Sequence, residues 1–186
     1  MRFVQVLAVL VIVGSISFAD IGPTKLETLI EGSDLIVLGK VTDVTTIGHG
    51  FKLASVEVTQ TVRGQTDAKL RYIASPVTFE DISDARIGET AVLFLRKPKK
   101  TPSEYPEDVL EITRGQPLFF IAHSGWGRLV PVSIDGDNWI YFRLGHGILL
   151  PQKLLALWKQ DPKDSNLGLV RVNDLLDFIE HYASTK

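Results

Sequence analysis

The chain has 186 residues, of which 45% are hydrophobic and 23% charged, with a formal net charge of −2. That balance fits one well-filled globular domain; it lacks the Lys/Arg excess of a nucleic-acid binder and the strong acidity of a disordered chain. Cysteine is absent, which excludes disulfides, thiolate metal sites, thiol catalysis and lipid attachment through a cysteine.

The N-terminus differs in kind from the rest. Arg2 supplies a short positive region, Phe3 to Gly14 is apolar apart from Gln5, and Ser17-Phe18-Ala19 matches the small-residue cleavage pattern of a secretory signal. The apolar run falls short of the ~20 residues needed to cross a bilayer. The expectation is export to the periplasm or the outside, with residues 1–19 removed after Ala19 and the mature chain starting at Asp20. An uncleaved N-terminal anchor is the alternative. No later segment is apolar enough over enough residues to span a membrane.

The mature residues, 20–186, read as one β-rich domain. Pro23 to Gly32 predicts a short helix: Thr24 is placed to cap it with Glu27 three residues on, Leu26, Leu29 and Ile30 share one face, and Gly32 stops it. Leu35 to Thr45 and Phe51 to Gly64 predict two long strands joined at Gly48-His49-Gly50. In the second, Val56, Val58 and Val62 alternate with Glu57, Thr59 and Thr61, which predicts one buried face. Gly39 inside the first strand predicts a bulge or bend, as a strand serving both halves of a small barrel requires. Leu70 to Ser75 is a third strand. Residues 76–86 form a polar connection, and Ala91 to Leu95, apolar on both faces, predicts a central strand.

Pro98 to Pro117, with four prolines and segregated charges, reads as a solvated loop. Strands are predicted at Leu118 to Ala122, Gly127 to Ile134 and Asn138 to Leu144, the last two joined by a turn at Asp135-Gly136. Pro151 opens a helix with Leu154, Leu157 and Trp158 on one face, closed at Asp161-Pro162. Asn173 is placed to cap a final helix, Asp174 to Tyr182, whose buried stripe is Val172, Leu175, Leu176 and Ile179. The fold class expected is mainly β with flanking α: a curved antiparallel barrel of OB type with its core at about 34–97, and a strand-and-helix extension over 117–186.

Several of these segments resemble the bacterial exported relatives of the netrin-like fold, the OB-type barrel of the tissue inhibitors of metalloproteinases. Ser33-Asp34 stands for a small-Asp pair ending the first helix, and Ile36 to Val41 for a strand of the form VVxGxV. Thr61-Val62-Arg63-Gly64 stands for VLKG, and Gly88-Glu89 with Val92 to Leu95 for GERYLLFL. The closing VRVNDLLDFIEHY is similar to the strand and terminal helix of such proteins. The resemblance covers residues 24–97 and the last dozen or so, and its motifs are structural. It implies a binding face and no particular chemistry. The inhibitors chelate a protease zinc through an N-terminal cysteine, a route this cysteine-free chain cannot take.

Catalytic and metal motifs are missing. His49, His123, His146 and His181 form no H-x-x-x-H or H-E-x-x-H pattern, so no metal and no cofactor is expected. Ser124 lies in no G-x-S-x-G elbow, and Asp135, Asp137 and Asn138 lack the twelfth-position Glu of a calcium loop, where His146 stands. The aromatics remain. Trp158 is expected in the core. Trp126, between two glycines, is the ring expected to be most exposed, and Trp139 and Tyr141 lie two apart on one strand face as a candidate aromatic strip. The leading expectation is therefore a non-enzymatic exported binding protein for another protein or a cell-surface component, with Trp126, Trp139 and Tyr141 as candidate contacts. The alternatives are a small exported hydrolase using His123 or His146, and a structural component of the envelope.

Overall fold

The computed structural model describes residues 23–47, 52–74, 84–98 and 118–185. The expected signal segment, the predicted tip at Gly48 to Gly50, most of the expected 76–86 connection and residues 99–117 of the expected solvated loop lie outside the described residues.

Five strands close a barrel: β2 (Leu35–Thr46), β3 (Lys52–Arg63), β4 (Lys69–Ile73), β5 (Thr90–Arg96) and β6 (Leu118–Ile121). Their order around the barrel is β2-β3-β4-β6-β5, and β5 returns to β2. The order is compatible with an OB-type barrel. The barrel is mixed where an antiparallel one was expected, because β6 runs parallel to β4 through Arg71↔Leu118, Tyr72↔Phe119 and Ile73↔Phe120. Its core also reaches past residue 97 to take its fifth strand.

The bend appears where Gly39 places it. The β2–β3 register shifts between Leu38 and Gly39, and again between Ile36 and Val37 and between Val41 and Asp43. Gly39 is needed for close approach, not for a left-handed backbone: a Cβ there would lie 2.5 Å from Val56 Cγ1 and 2.9 Å from the Glu57 carbonyl oxygen. The same irregularities correct the reading of β3. The pairing passes over Thr59 and Val62, so strict alternation fails after Val58. Val58 packs against the barrel interior, whereas Val62 packs against the outer cluster.

β5 is buried on both faces, as its sequence predicts. Ala91, Leu93 and Leu95 join Leu35, Val37, Val56, Tyr72 and Phe119 inside the barrel. Val92 and Phe94 face a second core outside it. Helix α1 (Leu26–Glu31) delivers Leu26, Leu29 and Ile30 to that second core. It starts one residue later than a Thr24 cap would place it, with Lys25 at the N-cap and no side-chain cap: Thr24 and Lys25 instead form β1, parallel to β10 (Ile148–Leu149), and the Thr24 N–H donates to the Gly147 carbonyl at 2.8 Å. The Ser33-Asp34 pair has a mechanical role. Ser33 Oγ donates to the Leu29 carbonyl at 2.7 Å, and the Asp34 carboxylate accepts from the Lys97 N–H at 2.7 Å, tying the helix end to the end of β5.

The segment expected as one strand from Gly127 to Ile134 divides in two. β7 (Arg128–Leu129) pairs with β5, and β8 (Val132–Ile134) pairs with β9 (Asp137–Arg143). Pro131, which has no N–H to give, falls at the break. β8 and β9 join β12 (Leu167–Arg171) and β11 (Lys159–Gln160) in an antiparallel sheet of order β11-β12-β9-β8. One face of this sheet, with Ile140, Phe142 and Val170, packs on the second core. Helix α2 is shorter than expected, Gln152–Leu155, so Leu154 is buried but Leu157 is 52% exposed. Trp158 lies past the helix and partly buried, its ring over Gly168. The last helix, α3 (Val172–Ser184), starts at Arg171 without a side-chain cap and buries Val172, Leu175, Leu176 and Ile179, the stripe the periodicity predicts.

Candidate functional site

Between β6 and β7 the chain makes a 3₁₀ turn, Ala122–Gly125, and then returns to β5. The Phe94 N–H donates to the Gly127 carbonyl at 2.7 Å, so the excursion is pinned from within. Trp126 sits at its end. β8 covers only Asp137 to Trp139 of β9, which leaves the next stretch of β9 beside this strap. A cleft of about 190 Å³ opens there, walled by Trp126 and Leu129 of the strap, Tyr141 and Arg143 of β9, His146 of the following turn and Leu167 of β12.

Trp126 is only partly buried and packs against the second core, so it is less open than its flanking glycines suggest. Its ring lies on the backbone of Gly147, where a Cβ would stand 2.8 Å from the six-membered ring, and Gly147 holds φ at +72°. Any side chain at position 147 would be strained and would displace the tryptophan. The His146 ring meets Trp126 edge-on, with centroids 5.9 Å apart at 89°. Tyr141 is the open aromatic of the set, 44% exposed.

Trp139 does not join them. It shares the Tyr141 face of β9 but is 8% exposed, with Lys159 Nζ 5.3 Å and Arg171 Cζ 5.1 Å from its ring centroid. The expected strip therefore divides into one free ring and one ring roofed by cations. His123 lies elsewhere, exposed in the 3₁₀ turn with its imidazole against Gly32 at the end of α1. Among the described residues no group of three His, Asp or Glu side chains is placed to hold a metal ion.

A polar cluster in the barrel was not foreseen from the sequence. Arg128 stands opposite Leu93, on the interior side of β5, and Glu89 lies two residues before Ala91 on the same side. Arg128 grips Glu89 through both Nε, at 3.0 Å, and Nη2, and both side chains are nearly buried. The Tyr72 hydroxyl is buried close enough to feel the Arg128 charge but makes no hydrogen bond of regular geometry. Burial pushes its phenol well above the ordinary 10.0; Arg128 pulls it back in part and Glu89 adds to the rise. Nearby, the Lys52 ammonium donates to Asp84 at 2.7 Å and holds that carboxyl below its ordinary 3.8 against the opposing effect of burial. Only Glu89, just before β5 and in step with Ala91, Leu93 and Leu95, carried a local signal for this cluster. The cluster lies within the barrel, whereas the cleft is walled by the strap and the second sheet.

At another part of the barrel rim, a wide depression of about 690 Å³ is lined by Thr61, residues 64–67, Lys97 and Phe119. Its aromatic, Phe119, is almost wholly buried and offers no face. No protein-family model matches the chain, and no curated protein matches it.

Proposed function

We propose that this chain is an exported, non-enzymatic binding protein, built on a netrin-like variant of the OB-type barrel, that takes its partner at the cleft between the strap and β9. The observation that carries this reading is the cleft itself: mostly apolar walls, an open tyrosine at the mouth, and Arg143 and His146 beside it. Concave apolar sites with a few placed polar groups are the usual form of a binding site. The signal-like N-terminus supports export, and the strand order and the Ser33-Asp34 tie support the netrin-like variant. The hydrolase alternative gains nothing from the geometry, since His123 packs on Gly32 while His146 packs on Trp126.

The test uses the mature protein, immobilised, with the native envelope fraction as bait source. Wild-type protein should retain a component that the Tyr141→Ala protein does not, with both showing the same melting temperature. Equal retention by the two proteins would move the site away from this cleft. Sequencing the exported protein from its N-terminus should begin at Asp20; a chain retaining Met1 in the membrane fraction would overturn the export reading.

A further inference from the structure

The size of the cleft and the charges around it narrow the kind of partner. A cleft of about 190 Å³ is smaller than the ~300–1,000 Å³ of sites that enclose whole small ligands. It is closer to the ~150 Å³ that holds a single benzene ring. One bulky side chain fits such a space, with the rest of its owner lying outside.

Outside it lie three cations, two of them loosely paired with exposed carboxylates. The register sets Tyr141 opposite Leu169 and Leu169 opposite Lys159, while Arg171 stands opposite Trp139 and Arg143 opposite Leu167. Directly opposed residues share a sheet face. Lys159, Arg171 and Arg143 thus share the outward face with Tyr141, Arg143 at the cleft and the other two over Trp139, although the whole chain carries a net charge of −2. Two of the three have partners: Arg171 meets Asp137 at 3.2 Å and Arg143 meets Asp164 at 3.6 Å. These pairs are solvent-exposed, and exposed pairs are held by little energy, so an arriving carboxylate can exchange into them. Lys159 lies over Trp139 and meets no carboxylate among the described residues.

We infer that the cleft binds an acidic peptide segment of a partner protein that presents one bulky apolar side chain. The side chain fills the space between Trp126 and Tyr141, and flanking carboxylates engage Arg143, Lys159 and Arg171. The buried anchor supplies most of the affinity and the charged surround supplies steering and selectivity. The inference rests on the cleft being the binding site, as proposed above.

The experiment is a fluorescence-anisotropy titration of the mature protein with labelled short peptides. One carries Phe between Glu residues, one carries Phe between Lys residues, and one carries Ala between Glu residues. The Glu-flanked Phe peptide should bind, about tenfold or more tighter than either of the others. Its affinity should fall with added salt and in the Arg143→Ala and Lys159→Ala proteins, whose exposed side chains leave the fold intact, as a melting curve will verify. Equal binding of the Lys-flanked peptide would overturn the acidic partner. N-acetylphenylalanine binding as tightly as the peptide would overturn a protein source. If no peptide binds although Tyr141→Ala abolishes capture from the envelope, the peptide class is wrong and the cleft stands. If Tyr141→Ala leaves that capture unchanged, both proposals fall together.

Discussion

Inside and around the barrel, Tyr72, Phe94, Phe119 and Phe120 are each no more than 4% exposed, whereas on the sheet of β8, β9, β11 and β12 Tyr141 is 44% exposed and Trp139 is roofed by two cations. The difference follows from closure. Every barrel strand has a neighbour on both sides, and β5 is covered on both faces, so even Phe94, which points out of the barrel, is buried in the second core. The second sheet packs one face on the core and turns the other to solvent, the usual economy of an antiparallel sheet. One region uses its rings for cohesion; the other leaves one of them, Tyr141, open. Closed barrels thus leave surface chemistry to whatever is added beside them.

The largest expected effect tests the cohesive half. Phe94→Ala should cost about 3–5 kcal/mol in urea denaturation, because a large, fully buried ring is removed. Tyr141→Ala should stay within about 0.5 kcal/mol of wild type. Similar losses in the two variants would erase the contrast. Gly39→Ala comes next, at about 1–3 kcal/mol, since Val56 and the Glu57 carbonyl must both give way. A neutral result would show that the bend absorbs a methyl group, and the close approach would then not be what selects glycine.

Smaller effects come from the polar cluster. The native phenol of Tyr72 keeps its proton to higher pH than the unfolded chain, whose tyrosine titrates at 10.0. Its contribution is therefore intact below 10.0 and stability declines as pH rises beyond that value. Tyr72→Phe should remove this alkaline decline and, by deleting a poorly partnered buried hydroxyl, leave neutral stability unchanged or raised by up to about 1 kcal/mol. Urea midpoints at about pH 8 and about pH 11 in both proteins measure it. The smallest effect is at Asp84, whose native value is depressed by Lys52. Its contribution is present above 3.8 and is lost as pH falls below that point. Because the carboxylate is nearly half open to solvent, the Asp84→Asn protein should lose only a few tenths of a kcal/mol, at most about 0.5, at neutral pH.

Periodicity made much of the scaffold legible. Leu26, Leu29 and Ile30 in α1, the stripe from Val172 to Ile179 in α3 and the two apolar faces of β5 are local patterns, and local patterns survive folding when a core exists to receive them. Gly39 was readable because a glycine in a strand has few other reasons to be there. Non-local choices were hidden. Nothing within Gly127 to Ile134 says that its two halves belong to different sheets; only Pro131 hints at the division. The Glu89–Arg128 pair spans 39 positions and exists because β7 comes back to β5. Trp126 and Tyr141 could be named from their chemistry, but that they face one cleft while Trp139 lies beneath Lys159 and Arg171 depends on how the sheet is laid against the strap.

The strap has two employers. Ile121 and Leu129 at its ends are stitched to β5, and Trp126 between them is a wall of the cleft. The wall cannot swing without loosening the barrel seam, and the Phe94 amide, bonded to the Gly127 carbonyl, sits on that seam. Its deuterium uptake is thus a natural gauge of the cleft: an occupant that holds Trp126 in place should slow exchange at an amide it never touches.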